Sequence, residues 1–126
     1  NKYIIKNNMQ NRIHLVGLQK DVNKYLKPNW IFASTSNYEG YPNALIEAMN
    51  AGLACIHYDC PSGIDEIVEN EVNGYLIPMD ECGLFSSKLK ELFFDKHKRN
   101  LFGSNARKSV QKLLINNIAK QWLKII

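Results

Sequence analysis

Two glutamates surround the predicted start of a short helix, and they are the residues of this sequence best suited to bind a ligand. Glu39 and Glu47 are separated by seven residues, with Gly40 and Pro42 between them. Pro42 suits a first helical turn, and Gly40 allows a ligand to approach the backbone closely. Carboxylates accept paired hydrogen bonds from vicinal hydroxyl groups, so the pair favours recognition of a sugar or ribose. The alternative is that both carboxylates only cap and solvate a surface helix.

The predicted helix start supplies a second element of a binding site. The backbone amides of Asn43, Ala44 and Leu45 precede any helical carbonyl that could accept from them, and they lie at the positive end of the helix dipole. They would form an anion site without a basic side chain. Tyr38 and Tyr41 flank Glu39 in the sequence, where they would either stack on a ligand or shield the loop.

The elements that would position these residues alternate in the manner of a parallel α/β sheet. Apolar β-rich runs predict about four strands, over residues 12–17, 30–34, 53–58 and 75–77. Ligands bind beyond the carboxyl ends of the strands in such a sheet. The loops at that edge are residues 18–20, 35–42 and 59–63. The sequence therefore predicts a Rossmann-like parallel sheet with flanking helices, and Glu39 lies in the middle loop of its ligand edge.

Helices are predicted between and after these strands. Short ones cover residues 21–27, 43–51 and 64–69, with Asp21 as a cap, Pro28 as a stop and Gly52 after the second. From Glu81 the chain is predicted to stay helical, with apolar residues at steps of three and four on a buried face. That face comprises Leu84, Phe85, Leu89, Leu92 and Phe93, and later Val110, Leu113, Leu114, Ile118, Trp122 and Ile125.

The composition is that of one ordinary globular domain. The 126 residues are 45% hydrophobic and 22% charged, which excludes intrinsic disorder, collagen-like repeats and a disulfide scaffold as the main organisation. No apolar run approaches the roughly 20 residues of a membrane-spanning helix, and residues 1–10 do not resemble a signal peptide. The three cysteines have no metal-ligand spacing, so they are interpreted as reduced thiols of a cytoplasmic protein.

Several single residues have a structural and a functional interpretation. Cys55 lies in an apolar strand and is expected to be a buried, inert thiol, whereas Cys60 lies in a loop at the ligand edge and is expected to be accessible to thiol reagents. His14 and His57 fall on predicted strands, which favours packed or edge residues over catalytic bases. Ser62 is either a ligand contact or a turn residue.

Charge is segregated along the chain. Residues 31–82 contain nine acidic residues and no lysine or arginine, whereas residues 83–126 contain ten basic and two acidic residues. The net charge of +4 does not indicate nucleic-acid binding, because the region richest in motifs is the acidic one. The basic final third would either face an anionic membrane surface or be a solvated helix face.

These residues together resemble the retaining glycosyltransferases of the GT-B fold, and most closely the large family 4, whose members build bacterial lipopolysaccharide, capsule and glycoprotein glycans. The segment from Glu39 to Glu47 is similar to the family's motif of two glutamates separated by seven residues. The similarity continues, in order, through residues 48–53, 59–63, 66–68, 73–78 and 105–107. It therefore covers nearly the whole chain.

The resemblance implies a role for each matching residue. Glu39 would be the catalytic residue, in contact with hydroxyls of the donor sugar, and Glu47 would bind the ribose hydroxyls of the nucleotide. Backbone groups around the helix start would line the diphosphate and the sugar, and a turn after the first predicted strand would contact the nucleobase. The first group comprises Gly40, Tyr41, Pro42, Asn43, Ala44 and Leu45, and the second comprises Gly17 and Leu18.

The resemblance also implies what this chain would be part of. Residues 1–126 would form the C-terminal nucleotide-sugar-binding domain, without its first strand–helix segment, which carries a basic pair in the family, and without the N-terminal acceptor domain. The implied partners are a UDP- or GDP-sugar and a glycan or lipid-linked acceptor, with no metal or other cofactor. The apolar stripe of the final helix, with Trp122 and Leu123, would pack on the other domain of the GT-B fold, and a peripheral contact at the inner face of the plasma membrane is the alternative. The chain alone is expected to bind donor weakly and to transfer nothing.

A different class of function remains open from the residues alone. A non-catalytic flavodoxin-like binding or regulatory module would have the same α/β pattern, although it would not explain two glutamates around a helix start. No G-x-G-x-x-G or G-x-x-x-x-G-K-[ST] motif occurs among the seven glycines, which counts against a nucleotide-binding oxidoreductase or a kinase.

Overall fold

The computed structural model describes residues 2–27, 30–61, 63–113, 119, 122 and 123. Within them lie four α-helices, α1 Lys2–Lys6, α2 Asn43–Asn50, α3 Cys82–Phe94 and α4 Lys96–Val110. Three strands are described, β1 Ile31–Ser34, β2 Ala54–Asp59 and β3 Gly74–Pro78. Single 3-10 turns cover Val22–Lys24, Ile64–Glu66 and Gln111–Leu113. None of the helices in this described part is long and apolar enough to cross a membrane.

The three strands form one parallel sheet in the order β1-β2-β3, which confirms the predicted open parallel sheet with flanking helices. Phe32 lies opposite Cys55, and Ile56 lies opposite Tyr75. The central strand is apolar over most of its length because helices cover both of its faces. All three strands run the same way, so their carboxyl ends share one edge of the sheet.

Alternate residues of β2 enter two separate parts of the core, one on each face of the sheet. Cys55 packs in the part formed with α2 and α4, whose buried residues include Leu45, Ala48, Met49, Ala106 and Val110. Ala54 and Ile56 pack in the part formed with α3 and α4, whose buried residues include Tyr75, Ile77, Phe85, Leu92 and Phe102. Helix α4 therefore contributes to both parts of the core.

Residues 12–17 do not form the predicted strand. The amides of Arg12 and Ile13 donate to the carbonyl of Met9, and the segment has no strand partner within the described residues. Leu15 and Val16, apolar residues that suggested a strand, are exposed. An apolar run becomes a strand only when a neighbour accepts and donates its ladder hydrogen bonds, so the described sheet has three strands rather than about four.

The helical C-terminal part is interrupted at Asp95, where the sequence predicted continuous helix. Asp95 has an extended backbone, and its carboxylate accepts from the amide of Lys98 at 2.8 Å, so it caps α4. Of the predicted buried face, Phe85 and Leu92 are buried, whereas Leu84 and Phe93 lie beside that face of α3 and are exposed. Trp122 and Leu123 are also exposed, and the predictions for Pro28, Leu114, Ile118 and Ile125 lie outside the described residues.

Helices α3 and α4 are joined by a polar network over the ring of Tyr75. The ammonium group of Lys98 donates to the Tyr75 hydroxyl at 3.0 Å and to the carboxylate of Glu91. The hydrogen bond from Lys98 is the main cause that lowers the pKa of Glu91 to about 2. Lys88 lies 4.7 Å from the centre of the Tyr75 ring and also donates to Glu91. The network fixes the crossing of the two helices above β3.

Candidate functional site

The carboxyl edge of the sheet brings two loops together. Residues 35–42 follow β1 and lead into α2, and residues 59–63 follow β2 and lead into the turn Ile64–Glu66. The hydroxyl of Ser34 accepts from the amide of Ser36 and donates to the hydroxyl of Ser36, and these bonds turn the chain at the end of β1. The start of α2 is thereby held at the edge where parallel sheets bind ligands.

The start of α2 presents two unpaired backbone donors. Pro42 is buried and occupies the cap position, where it provides no side-chain acceptor. The amide of Asn43 donates to the carbonyl of Tyr41 at 2.8 Å, which differs from the prediction that it is free. The amides of Ala44 and Leu45 have no acceptor within the described residues. These two donors lie in the first turn of the helix, where the dipole favours an anion.

The two glutamates differ in exposure, and both are unpaired. Glu39 is half-buried in the loop before α2, whereas Glu47 is exposed on the second turn of the helix. Neither carboxylate forms a hydrogen bond or an ion pair with any residue that the structure describes. A carboxylate that only capped this helix would accept from the amides of Ala44 or Leu45. The geometry therefore leaves both groups available to a ligand.

A cavity of about 610 Å³ lies beside the start of α2. Its volume is within the range of small-molecule sites. It lies between the start of α2, the turn after β2 and the end of α4. Its lining residues are Tyr41, Pro42, Gly63, Asp65, Glu66, Ile67, Glu69, Asn73, Ser109, Val110 and Leu113. The lining includes three carboxylates, a phenol and several aliphatic side chains. Such a lining accepts hydrogen bonds from hydroxyl groups and packs against apolar surface.

Asn73 holds the wall of this cavity in place, and the sequence indicated only a turn there. Its buried side chain accepts from the amide of Glu69 at 2.9 Å and donates to the carbonyl of Ile67 and the hydroxyl of Ser109, both at 3.1 Å. The turn after β2 is thereby attached to α4. A buried and fully paired amide cannot be distinguished from an ordinary turn asparagine by sequence pattern alone.

Gly17 and Leu18, the residues expected near a nucleobase, lie in a turn of the N-terminal segment. Gly17 has a φ of 63°, and Leu18 is fully exposed. The side chain of Gln19 donates to the carbonyl of Val16 and contacts the hydroxyl of Tyr25 at 3.2 Å. No described hydrogen bond or ion pair joins this turn to the start of α2. The structure therefore brings together the residues from Glu39 to Leu45 with Glu47, but it does not link the turn to them.

Two of the single-residue expectations are wrong, and two agree with the structure. Cys60 is buried, because the loop after β2 folds back onto the core, and His14 is exposed, because its segment is not a strand. Cys55 and His57 are buried as expected, and burial raises the pKa of the Cys55 thiol. Ser62 lies outside the described residues. The described side chains contain no group of three or more potential metal ligands.

Comparison with known families agrees with this geometry. Residues 1–109 match the family described as glycosyl transferases group 1. The chain belongs to this family. The match includes the sheet, the start of α2 and nearly all of α4, so the family assignment covers the elements of the candidate site except Val110 and the turn Gln111–Leu113.

Relatives in the family include enzymes of bacterial glycan assembly. The chain is similar to the amylovoran biosynthesis glycosyltransferase AmsD of Erwinia amylovora, with 30% identity over 123 residues, 98% of this chain and 34% of the relative. It is similar to the UDP-Gal:α-D-GlcNAc-diphosphoundecaprenol α-1,3-galactosyltransferase of Escherichia coli, with 32% identity over 103 residues, 82% of this chain and 26% of the relative. The chain thus spans about a quarter to a third of these relatives.

The fold matches crystal structures of GT-B glycosyltransferases. A variant of Staphylococcus aureus TarM, in complex with fondaparinux, α-GlcNAc-glycerol and UDP, superposes with a TM-score of 0.85 and 29% identity, over 98% of this chain and 25% of TarM. The parallel sheet and its flanking helices are therefore those of a GT-B domain.

Proposed function

We propose that this chain is the donor-binding part of a retaining glycosyltransferase, which moves a hexose from a nucleotide sugar to a growing bacterial surface glycan. The observation that carries the proposal is the start of α2, where two unpaired carboxylates accompany two unpaired amides. A nucleotide sugar offers the complementary groups, because its diphosphate is anionic and its sugar and ribose carry vicinal hydroxyls.

Each ligand group would have its own partner at this edge of the sheet. The free amides of Ala44 and Leu45 would donate to a diphosphate oxygen, as amides at helix starts commonly do. Glu39 would bind donor-sugar hydroxyls and act as the catalytic residue, and Glu47 would bind the ribose hydroxyls. Catalysis in the whole enzyme would come from alignment of donor and acceptor and from stabilisation of the leaving diphosphate.

The names and ligands of the relatives support a nucleotide-sugar donor. The E. coli relative is a UDP-Gal-dependent galactosyltransferase by name, and the TarM structure contains UDP. We propose a UDP- or GDP-sugar as donor for this chain and a glycan or lipid-linked acceptor bound by a further domain. These relatives are about three to four times as long as the chain, which leaves ample length for such a domain.

The chain alone would bind the donor weakly and transfer nothing. Residues 31–82, which include the whole start of α2, contain nine acidic residues and no lysine or arginine. A helix start offsets only about 0.3–1 kcal/mol per charge near the surface, which is little against a diphosphate surrounded by carboxylates. We expect titration of the 126-residue chain with UDP- and GDP-sugars to give only weak binding. Micromolar affinity would contradict this expectation.

Substitution of the two glutamates in the full-length enzyme tests the proposal. Glu47→Gln should weaken nucleoside-diphosphate binding by about 10- to 150-fold, since hydrogen bonds to charged groups contribute roughly 1.5–3 kcal/mol. Glu39→Gln should reduce the rate of sugar transfer more than it reduces nucleotide binding. Glu81→Gln is a matched control, because Glu81 is also an exposed acid at a helix start, that of α3.

Binding by calorimetry, transfer from radiolabelled donors and circular dichroism would be measured for all three variants. Unchanged transfer by folded Glu39→Gln and Glu47→Gln enzymes would reject the proposal, and it would favour a module in which these glutamates only solvate a helix.

A further inference from the structure

A groove of about 550 Å³ lies at the amino end of β1, at the end of the sheet opposite the carboxyl edge. We call it the aromatic groove. It is formed around the start of β1, the final turns of α3 and the first turn of α4, and its lining residues are Trp30, Ile31, Leu89, Phe93 and Arg99. Two distant parts of the sequence therefore form one concave surface, which is separate from the candidate site.

The aromatic rings of the groove are exposed far beyond what packing requires. Trp30 is 52% exposed and Phe93 is 67% exposed. Phe94 is 81% exposed, and its ring contacts that of Phe93 edge to face, with the ring centres 5.1 Å apart. The apolar surface therefore continues past the groove. Single exposed apolar residues are common on protein surfaces, but a contiguous apolar patch marks an interaction site.

Arg99 lines the groove with an incomplete set of hydrogen bonds. Its Nη1 atom donates to the carbonyls of Leu92 and Phe93, at 2.7 and 2.9 Å, which holds the guanidinium group at the end of α3. Its Nε atom is buried and has no acceptor within the described residues. A buried donor without an acceptor is unfavourable. A carboxylate brought to this guanidinium group would satisfy a donor that the chain leaves unpaired.

Lysines without an acidic partner surround the groove. The ammonium group of Lys27 lies 5.6 Å from the centre of the Trp30 ring. Lys90 is one helical turn before Phe94, and Lys96 begins α4 just after the end of α3. None of these three lysines forms an ion pair with a residue that the structure describes.

The acidic side chains at the end of α3 are already engaged. Glu91 pairs with Lys88 and Lys98, and the carboxylate of Asp95 accepts from the amide of Lys98. The groove therefore combines an apolar centre with uncompensated positive charge around it. An apolar centre with a polar rim is the usual arrangement of a protein–protein interface, and tryptophan and arginine are the residue types that most often dominate its affinity.

We infer that the aromatic groove binds an acidic peptide segment of a partner protein, with an apolar side chain of the segment against Trp30 and Phe93 and a carboxylate at Arg99. Charge complementarity selects this partner over a second copy related by twofold symmetry, which would bring like charges face to face. A groove that contains a directional donor also fits a polypeptide better than a flat lipid surface. The inference rests on the groove alone, so it is independent of the proposed donor site.

Selection of peptides that depend on the groove tests the inference. A phage-displayed library of random peptides would be depleted on the double variant Trp30→Ser/Phe93→Ser and then selected on the full chain. Both substituted side chains are exposed, so circular dichroism should confirm that the variant is folded. The selected sequences should be enriched in aspartate and glutamate beside aromatic or aliphatic residues. Failure to select any peptide, or selected sequences without an excess of acidic residues, would overturn the inference.

A synthetic copy of the selected peptide measures the separate contributions by fluorescence anisotropy. Trp30→Ser should weaken binding about tenfold or more, as truncation of a central aromatic anchor commonly does. Lys90→Gln and Lys96→Gln should each weaken it about two- to fivefold, because single exposed charges contribute little. High salt should also weaken binding. Leu18→Ser should bind like the parent chain, since Leu18 is fully exposed but lies in the N-terminal turn.

A second peptide, with amides in place of all its carboxylates, isolates the role of charge and should lose most of its affinity. Equal binding of the two peptides, or an equal loss in Leu18→Ser and Trp30→Ser, would contradict the inference. Sedimentation and analytical ultracentrifugation cover the other occupants. Binding to phosphatidylglycerol vesicles that is lost in the double variant would assign the groove to lipid, and a dimer that dissociates in the double variant would assign it to a second copy. Either result would reject an acidic peptide as the occupant.

Discussion

Substitution of Gly103 by alanine should destabilise this chain, although the same change stabilises most helices. Gly103 lies in the interior of α4 and is buried. A Cβ atom added there would overlap the carbonyl oxygen of Gly52 and lie 3.0 Å from its carbonyl carbon. Gly52 follows α2 and precedes β2, so the obstacle is backbone that cannot rotate away. Helix α4 would have to move outward.

The size of the effect follows from two opposing contributions. Alanine is favoured over glycine in a helix by about 1 kcal/mol, because it restricts the unfolded chain. Restoring an ordinary contact needs a displacement on the order of 1 Å, since nonbonded atoms approach optimally at about 3.5–4 Å. Overpacking of this kind costs typically 1–3 kcal/mol and more where nothing yields. We expect a net loss of about 2 kcal/mol in the free energy of unfolding.

Urea unfolding followed by circular dichroism measures this loss. Because the urea dependence for small proteins is about 1–3 kcal/mol per molar, the midpoint should fall by roughly 1 M. Gly83→Ala is the matched control, because Gly83 lies in the first turn of α3 with open space around the added Cβ atom. That variant should be unchanged or slightly more stable. A Gly103→Ala chain as stable as the parent would refute the close packing of α4 against Gly52.

Three further substitutions or reactions test other parts of the structure. The pKa of Glu91 is lowered from 4.5 to about 2, so its pairing stabilises the fold above about pH 4.5 and this contribution is lost as the pH falls towards 2. Glu91→Gln should therefore make the free energy of unfolding less dependent on pH below about pH 4.5. At neutral pH the substitution should lower the free energy of unfolding by less than about 1 kcal/mol, because the pair is solvent-accessible. An unchanged pH dependence at acid pH would be inconsistent with the network. Asn73→Ala should lower the free energy of unfolding by about 2–3 kcal/mol in urea titrations, because it leaves buried partners unpaired. A loss below that of a typical surface change would mean that the side chain is not buried as described. Cys82 is exposed and should react with a thiol reagent while the chain is folded. Cys55, whose pKa is raised by burial, should react only after unfolding. Rapid labelling of both cysteines in the folded chain would contradict the buried position of β2.

The described strands were predictable because each is a short apolar run bounded by turn residues. The predicted start of α2 at Asn43 is the observed one, since Pro42 limits where a helix can begin. Asp21 caps the turn Val22–Lys24 by accepting from the amide of Asn23, as its residue type indicates. The residue types alone were sufficient to predict these elements, because the contacts that determine where each element begins lie within a few residues in the sequence.

Other features depend on contacts that the sequence does not display. Residues 12–17 have the composition of a strand but no neighbour to pair with among the described residues. The helical periodicity on both sides of Asp95 predicts a continuous helix, but the Asp95 carboxylate accepts from the amide of Lys98 and a new helix begins there. The sequence predicts ordinary loop positions for Asn73 and Cys60, yet tertiary packing buries both. Among the site residues, the free amide predicted at Asn43 is lost to Tyr41, because the tight turn at Pro42 brings that carbonyl within reach.

Helix α4 supports the candidate site without contributing to its polar groups at the start of α2. Its Gly103 packs against the backbone of Gly52, just after α2, and its Ser109 accepts from Asn73 in the cavity wall. Glu39 and Glu47 lie outside the core, so they add little to stability. Gly103→Ala should therefore lower the folded fraction while donor binding per folded molecule stays constant, and substitutions of the two glutamates should do the reverse. Loss of both properties from a change at Glu47 would mean that this carboxylate serves the fold rather than a ligand.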